Sequence, residues 1–186
     1  ALNDYTGAFE DCNKAILLDP AYKEAYNNRG NVKYALSDYT GANEDFNKAI
    51  SLDPGYKDAY NNRGDVKLVL KDNTGAFEDF NKAISIDNKN DDSYNNRGNV
   101  KYALKDYAGA IEDYNQTILL NPDMAETYYN RTSYKYFLKD YLGAIEDFTK
   151  TIALNPPKVV EAYYGRGNAY FELKNQQKIV HKLVIC

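Results

Sequence analysis

The sequence contains few of the residues on which catalytic and metal sites most often depend. Its 186 residues include no tryptophan, one methionine and a single histidine, His181. The two cysteines, Cys12 and Cys186, lie far apart, which excludes a dense disulfide framework and a C-x-x-C zinc motif within this chain. A histidine metal site or a Ser/His/Asp triad would have to be built on His181 alone. The composition therefore predicts a protein that is not an enzyme and uses no cofactor or metal.

An excess of positive charge and a long apolar run are absent as well. The formal net charge is -4, so we expect no nucleic-acid partner, because a phosphate backbone is bound by cations. The sequence has no run of about 18 apolar residues, so no membrane span is expected. Because cysteine is scarce, we expect a reducing, cytoplasmic location. The only methionine is Met124, so we also expect the native start to be missing.

What the sequence does have is a strict repeat of 34 residues. Three marks follow it: an Asp-Pro or Asn-Pro pair, an arginine and a Gly-Ala pair. The prolines are Pro20, Pro54, Pro122 and Pro156, the arginines are Arg29, Arg63, Arg97 and Arg131, and the glycines are Gly7, Gly41, Gly75, Gly109 and Gly143. A fifth arginine, Arg166, comes one residue late because the last junction has gained a residue at its Pro-Pro pair.

Each unit is predicted to form two helices joined by a turn. The first runs from about Lys23 to Leu36, and the second carries Ala42, Phe46 and Ala49 at helical spacing. The second helix must stop before the proline of its unit, because the residue preceding proline avoids the helical region. Counting a terminal pair, we expect about eleven helices. Paired carboxylates such as Glu44-Asp45 point about 100° apart on a helix and cannot face one substrate.

Several repeated residues are expected to serve the architecture. An aspartate just before each second helix should cap it: Asp4, Asp38, Asp72, Asp106 and Asp140. A glycine in the first turn of a helix costs roughly 1 kcal/mol against alanine, so we expect a neighbouring helix to cross close to it. The repeated arginine should pair with an aspartate of a neighbouring second helix, such as Asp11 or Asp45.

The unit resembles the tetratricopeptide repeat (TPR), with tyrosine where that family often has tryptophan. The residues that carry the resemblance are Tyr26, Gly30, Ala42, Phe46, Ala49 and Pro54. The resemblance implies an all-α, right-handed superhelical solenoid of antiparallel helix pairs, with the first helices lining a concave groove. We expect a single array over 1–186, with an orphan second helix in 1–22, full repeats at 23–56, 57–90, 91–124 and 125–159, and an irregular terminal repeat at 160–186.

The sequence departs from the family pattern at two places. Lysines replace an aromatic residue three positions after the packing glycine: Lys33, Lys67, Lys101 and Lys135. We expect their stems to pack and their ammonium groups to reach water. In the terminal repeat Ile179 replaces the small alanine of the family, so the last helix is expected to pack irregularly.

Asparagine is unusually frequent, with 22 in the chain, and many lie inside the first helices, where helix propensity disfavours them. One recurs before each arginine as Asn28, Asn62, Asn96 and Asn130. An amide can donate and accept together, so this ladder could hold the backbone of an extended peptide. It resembles the asparagine ladder of the O-linked N-acetylglucosamine transferase TPR superhelix. The alternative is that AT-rich coding bias and solvent exposure fill these helices with asparagine.

Helical spacing places certain residues along one face of each first helix, and the resemblance to the TPR family implies that this face is the groove wall. The residues predicted to line the groove are Glu24, Asn27, Asn28, Asn31, Tyr34, Asp58, Asn61, Asn62, Asp65, Asp92, Asn95, Asn96, Asn99, Tyr102, Tyr129, Asn130, Tyr136, Tyr164, Asn168 and Phe171. The carboxylate clamp of co-chaperones needs lysine and arginine on this face, where this chain has asparagine and aspartate. An acidic peptide should be repelled, and Tyr129, Tyr136, Phe137, Tyr164 and Phe171 should form an aromatic anchor.

These features favour a non-catalytic scaffold that binds an extended, neutral or basic peptide of another protein. Two other readings stay open: a structural array that stacks end to end, and the substrate-binding arm of a larger enzyme. Asparagines bonded to a strand would favour the scaffold, and asparagines bonded to one another would favour the array. Both ends carry apolar strips, around Ile16 and around Leu183, so the uncapped ends could also form a homo-oligomer.

Overall fold

The computed structural model describes residues 5–154 and 157–185, with the side chains of the last helix described as far as 177. All regular structure there is helical. The helices are α1 (Tyr5–Leu18), α2 (Lys23–Ala35), α3 (Tyr39–Leu52), α4 (Lys57–Val69), α5 (Asn73–Ile86), α6 (Asp91–Ala103), α7 (Tyr107–Leu120), α8 (Ala125–Phe137), α9 (Tyr141–Ala153) and α10 (Val159–Ile185). The chain divides into two compact units, one ending at Leu104 and one beginning at Lys105, so unit 1 holds α1–α6 and unit 2 holds α7–α10.

The second helices begin at the predicted aspartate caps. Asp38 accepts a hydrogen bond from the backbone N–H of Gly41 at 3.0 Å, which satisfies one of the unpaired donors of the first turn of α3. The same cap starts α5, α7 and α9, at Asp72, Asp106 and Asp140. The cap prediction is thus confirmed for these four residues, while Asp4 lies outside the described residues.

The glycine after each cap has a different cause from the predicted one. A Cβ placed on Gly41 would lie 2.2 Å from Oδ2 of Asp38, and the atoms nearest to it all belong to that aspartate. The glycine makes room for the cap. The predicted close approach of a neighbouring helix is seen at Gly75, where Cδ of Lys67 in α4 would lie 3.0 Å from an added Cβ, and not among the nearest atoms of Gly41. Helices do cross closely at the glycine of the first helix, where a Cβ on Gly30 would lie 2.6 Å from the ring of Phe46.

The core of each unit lies between helix pairs and the first helix that follows them. In unit 1 the fully buried Ala42 and Phe46 of α3 pack with Val66 of α4, and α5 repeats this contact with Val100 of α6. In unit 2 Phe148 of α9 packs against Ala162 and Ala169 of α10. Burying each of these large side chains contributes about 1.5–3 kcal/mol. The same core contact therefore stabilises each repeat against the next one.

In each repeat one arginine of the first helix forms hydrogen bonds with two second helices, that of its own repeat and that of the repeat before it. Arg63 of α4 donates from Nε and Nη2 to the carboxylate of Asp79 in α5, and from Nη1 to Oδ1 of Asn47 in α3. Arg29 makes the same bonds to Asp45 and Asn13. The predicted pairing with Asp45 is confirmed, whereas the earlier second helix contributes Asn13 rather than Asp11. Arg131 repeats the arrangement in unit 2, with Asp147 and Asn115.

The lysines that replace the family's aromatic residue do not extend to water. Lys67 Nζ lies 2.8 Å from Oδ2 of Asp79 and donates to the carbonyl of Gly75. Lys33 and Lys135 make the equivalent contacts in their own repeats. The expectation that these ammonium groups reach water is wrong, because a carboxylate with only 4% of its side chain exposed needs more than one cationic donor.

The terminal repeat contains one long helix where the sequence analysis expects two, so ten helices are present in the described chain and not eleven. At the positions where earlier repeats cap a second helix with aspartate and glycine, α10 has Asn175 and Lys178. Where the buried Asp45 would follow, it has Lys182. Asparagine is itself able to cap a helix, but lysine stands in place of both the glycine that makes room for the cap and the aspartate that pairs with the arginine, and the helix continues. The expected irregular packing of Ile179 concerns a side chain outside the described residues.

Candidate functional site

The predicted asparagine face of unit 1 is linked by hydrogen bonds between neighbouring first helices. Asn62 Nδ2 of α4 donates to Asn27 Oδ1 of α2 at 2.9 Å. From α6, Ser93 donates to Asn61 and Asn96 donates to Asp65, each at 2.9 Å. The side chains thus bond to one another, which is the arrangement expected of a structural array. Part of the asparagine excess therefore holds the first helices in register.

The predicted groove residues of unit 1 differ in exposure. Asn27 is only 5% exposed and Asn95 is similarly buried, whereas Asn28 and Asn31 are exposed. Tyr34 and Tyr102 lie at the exposed ends of their helices, and Tyr34 packs edge-on against Tyr39. Glu24 lies 3.8 Å from Lys23. The buried amides serve the helix contacts, and the exposed ones remain on the surface.

A polar cavity of about 420 Å³ opens between α2, α4 and α6. Six predicted groove residues line it: Asn27, Asn31, Asp58, Asn61, Asn62 and Asp92. The sequence analysis missed Lys57, Lys89, Asn90 and Asp91, which also line it because the loop before α6 reaches over the same face. Of these, Lys57 is paired with Asp87. Glu24 and Asn28 do not line this cavity.

Asp65 is the most perturbed acid of this face. Burial raises the pKa of its carboxyl to about 7, and the nearby negative charge of Asp92 adds to the rise. The pKa of Asp92 is itself raised by burial and by Asp91. The pKa of Tyr34 is raised by burial and then by the charge of Asp65. These side chains form an acidic patch whose ionised form favours a cation.

Unit 2 presents an aromatic cavity of about 410 Å³ between α8, α9 and α10. It brings together four predicted groove residues: Tyr129, Tyr136, Tyr164 and Asn168. Phe148 of α9 and Gly165 also line it, and the sequence analysis missed them because phenylalanine of a second helix was assigned to the core. Tyr129 meets Phe148 edge to face, with ring centroids 6.3 Å apart. The glycine lets α10 approach the ring of Phe148 closely, since a Cβ there would lie 2.4 Å from the ring.

The rim of the aromatic cavity is acidic. Glu161 lines it, and burial together with the charge of Glu172 raises the pKa of Tyr136. A smaller recess of about 170 Å³ adjoins the other side of Tyr129, where Lys158 Nζ lies 5.5 Å from the ring centroid. The ammonium group of Lys158 thus lies over one face of the Tyr129 ring, an arrangement that cation–π attraction favours.

Other residues of the predicted anchor lie elsewhere. Phe137 packs against Tyr107 with ring centroids 5.2 Å apart and ring planes tilted by 42°, and it does not line the cavity. Phe171 is exposed and does not line the cavity, and Asn130 is half-buried outside it. The aromatic side chains brought together by the structure are therefore Tyr129, Tyr136 and Tyr164.

The chemistry available at these cavities is that of binding. Across the described residues, no group of three or more His, Cys, Asp or Glu side chains could hold a metal ion. A search of the same residues finds no helix long and apolar enough to cross a membrane. Burial raises the pKa of the Cys12 thiol, which disfavours the reactive thiolate. His181 lies outside the described side chains.

Solved structures with the same fold are similar to this chain at low identity. MamA superposes with a TM-score of 0.74 at 22% identity, covering 84% of this chain and 91% of that one. YrrB, described as a TPR protein with an unusual peptide-binding site, gives 0.77 at 23%, covering 92% and 88%. The first TPR of Spaghetti (RPAP3), bound to the HSP90 peptide SRMEEVD, gives 0.61 at 23%, covering 62% and 92%. These likenesses show the fold.

Family models account for most of the sequence. Three models described as tetratricopeptide repeat match residues 57–90, 92–124 and 133–178, and one described as TPR repeat matches 30–68. No curated protein matches the chain significantly. The helix pairs, their aspartate caps and these matches lead to one conclusion: the chain belongs to the tetratricopeptide repeat family and has the fold of a TPR solenoid.

Proposed function

We propose that the chain is a non-catalytic protein-interaction scaffold whose first helices bind an extended peptide segment, neutral or basic in charge. The polar cavity of unit 1 is the observation that carries this proposal. The cavity is open to solvent, and the amides that line it can both donate and accept hydrogen bonds. Three aspartates and two lysines also line it, and one of the lysines, Lys57, is already paired with Asp87. An extended backbone has the donors and acceptors that such a wall satisfies.

Two structural neighbours support a peptide as the class of ligand. YrrB is described by its peptide-binding site, and the Spaghetti domain holds an HSP90 peptide with three acidic residues. A clamp for such acidic peptides needs cations, and this chain has Asn27, Asn31 and Asp92 among the corresponding positions. The proposed ligand therefore differs in charge from the HSP90 peptide.

Hydrogen bonds to the asparagines cannot supply the whole affinity. Each bond contributes about 0.5–1.5 kcal/mol, so four contribute about 2–6 kcal/mol, against ~8 kcal/mol for a micromolar complex. Apolar side chains must add the remainder. The aromatic cavity of unit 2, lined by Tyr129, Tyr136 and Tyr164, is suited to that task.

A peptide-display selection against the purified chain tests the proposal. We expect the enriched peptides to be neutral or basic, and replacement of Asn27, Asn31, Asn61 and Asn62, the asparagines of α2 and α4 that line the polar cavity, together by alanine to weaken their binding at least tenfold in fluorescence anisotropy, with helicity intact. Asn88→Ala, an exposed asparagine outside both cavities, serves as the control. Enrichment of acidic peptides, or unchanged affinity in the quadruple variant, would refute the proposal.

End-to-end association of copies is a second candidate function, favoured by open faces on α1 and α10. Ala8 is exposed in α1 although its counterparts in α3 and α5 are fully buried, and Tyr163 of α10 is 55% exposed.

A cytoplasmic location stays a proposal as well, which fractionation of the source cells would test.

A further inference from the structure

The inference concerns a face of α10 that no other described helix covers. Its residues are Tyr163, Arg166, Gly167 and Tyr170, and they correspond to Tyr26, Arg29, Gly30 and Lys33 of α2. In α2 this face is packed against its own second helix, α3, and Tyr26 is 9% exposed. In α10 the corresponding Tyr163 is 55% exposed. In the described chain α10 continues as one helix over the positions where the earlier repeats begin their second helix.

Arg166 lacks the carboxylate that its counterparts hold. Its guanidinium lies over the ring of Tyr163 and Nη1 donates to the hydroxyl of Thr149 at 3.0 Å. Arg29, Arg63 and Arg131 each make the corresponding bond to an asparagine and, in addition, a two-pronged bond to a buried aspartate. Within the described side chains, no salt bridge is formed by Arg166, so its fork-shaped set of donors is available to a carboxylate.

Gly167 lies beside an empty place on the same face. A Cβ on Gly167 would meet no atom within 4 Å, whereas a Cβ on Gly30 or Gly64 would meet a phenylalanine ring at 2.6 Å. The phenylalanine directly follows the aspartate that pairs with the arginine, as in Asp45-Phe46. The open face therefore fits a helix that carries aspartate followed by an apolar side chain.

Helix α1 carries this pair in the required register. Asp11 and Cys12 occupy the places of Asp45 and Phe46, and Ala8 occupies the place of Ala42. Asp11 is exposed and makes no ion pair among the described residues, and Ala8 is exposed where Ala42 is fully buried. Toward α2 the helix already acts as a second helix, because Asn13 accepts from Arg29. Only its other side is open.

The two open faces are complementary in size and in charge. Cys12 of α1 is smaller than Phe46, which holds the corresponding place in α3. On α10, Tyr170 carries an aromatic ring where α2 has Lys33. By sequence α10 carries Arg166, Lys174, Lys178 and Lys182 against two glutamates, whereas α1 carries Glu10 and Asp11 against one lysine. By sequence the two helices therefore carry net charges of opposite sign, which favours their association.

We propose that the Arg166 face of α10 docks α1 of a second copy, with Arg166 pairing to Asp11 of the partner subunit. The contact is head to tail, because the two faces belong to different ends of the repeat array. A contact of this kind leaves one free face of each type at the ends of the assembly, so it can add further copies. This inference does not depend on peptide binding, because neither cavity contributes to the face.

Charge reversal provides the test. Sedimentation velocity and light scattering over a hundredfold concentration range should show association of the unaltered chain. Asp11→Arg and Arg166→Asp should each weaken association at least tenfold, whereas the double variant Asp11→Arg/Arg166→Asp should restore it. Glu10→Arg, an equal change of charge on the exposed neighbour of Asp11, should have a much smaller effect.

Further outcomes separate this contact from others. Gly167→Leu fills the open place without changing charge and should also weaken association, with the helical signal unchanged. A mixture of the two single variants should associate as an alternating assembly although neither variant associates with itself, because both joints between the two variants pair an arginine with an aspartate. A monomer at every concentration, association unaffected by Asp11→Arg, or failure of the double variant to recover while it remains folded would each overturn the proposal.

Discussion

Asp65 occupies a position that asparagine holds in both neighbouring first helices, as Asn31 and Asn99. Its folded pKa, about 7, lies well above the ordinary value near 3.9 of an unfolded aspartate. Between these two values the folded chain binds more protons than the unfolded chain, so stability falls as the pH rises. The carboxyl therefore costs stability above pH 7, by a few kcal/mol at about 1.4 kcal/mol per unit.

We expect Asp65→Asn to stabilise the chain at pH 8 and to have little effect at pH 4. Urea unfolding at intervals between these values should show that the variant has lost the decline in stability through pH 7. Asp58→Asn, an exposed aspartate of the same helix, is the control and should leave the pH profile largely unchanged. A decline that persists in Asp65→Asn would assign the pH dependence to another group.

The residue-level roles that sequence could predict are those fixed by local geometry. A capping aspartate acts on an N–H three residues away, so Asp38 and Asp72 are recognisable from the sequence alone. The partner of Lys67 lies twelve residues away in another helix, and the choice of Asp79 over water depends on how the two helices pack. The bonds from Asn62 and Asn96 to other repeats depend likewise on the spacing of first helices.

At the scale of the helix, replacing the glycine after a cap by alanine should change stability differently from the same replacement at another helical glycine. Gly75→Ala should fail to stabilise the chain, because the new Cβ would lie 2.2 Å from the carboxylate of Asp72 and displace the cap, a loss of about 0.5–2 kcal/mol that offsets the roughly 1 kcal/mol gained by replacing glycine. Gly167→Ala, at a helical glycine with open space around it, should instead stabilise by about 0.5–1 kcal/mol. Thermal unfolding of dilute samples of both variants measures this. Stabilisation by Gly75→Ala would contradict the role given to the cap.

The pairing of helices offers a second test, since Asp79 holds two cations of α4. Asp79→Asn should cost about 2–4 kcal/mol, because Arg63 and Lys67 would lose their common carboxylate while staying largely buried. Its sequence neighbour Glu78 is exposed and makes no ion pair in the described part of the chain. Glu78→Gln is therefore a matched control that should change the unfolding free energy by less than about 0.5 kcal/mol. Equal effects in urea denaturation would show that the buried pairing contributes little.

The helix boundaries also show where sequence reasoning stopped short. The sequence itself indicates that α10 continues, because Lys178 and Lys182 occupy the positions that hold glycine and the paired aspartate in the earlier repeats. Comparison of these positions with Gly41 and Asp45 could have indicated that no second helix would form. The cause of the glycine after the cap was less accessible, because the 2.2 Å approach to the carboxylate depends on the aspartate rotamer.

Across the whole molecule, the two units present cavities of different chemistry. We expect alanine at Tyr129 and Tyr164 together to weaken peptide binding more than alanine at Asn61 and Asn95 together. The first pair lines the aromatic cavity, whereas the second pair lies in unit 1, where Asn61 already accepts from Ser93 and Asn95 is buried. Isothermal titration with a selected peptide measures both losses. The reverse order would refute the aromatic anchor.

The aromatic cavity was predictable in part, because first helices place successive residues of one face on the same surface. That rule identifies Tyr129, Tyr136 and Tyr164. It does not identify Phe148, a core residue that is only 7% exposed and that lines the cavity beside the close approach of Gly165 to its ring. The pattern of a single helix cannot predict a cavity that three helices form together.

The arginine contacts have a consequence for how such a chain can change in length. Arg29 and Arg63 each bond to an asparagine in the preceding second helix and to an aspartate in their own, at the same positions of the repeat. Because the joint is alike from one repeat to the next, a duplicated or deleted segment of 34 residues would meet the same donors and acceptors on either side. Recombination between repeats can therefore lengthen or shorten the array without any compensating mutation at the junction.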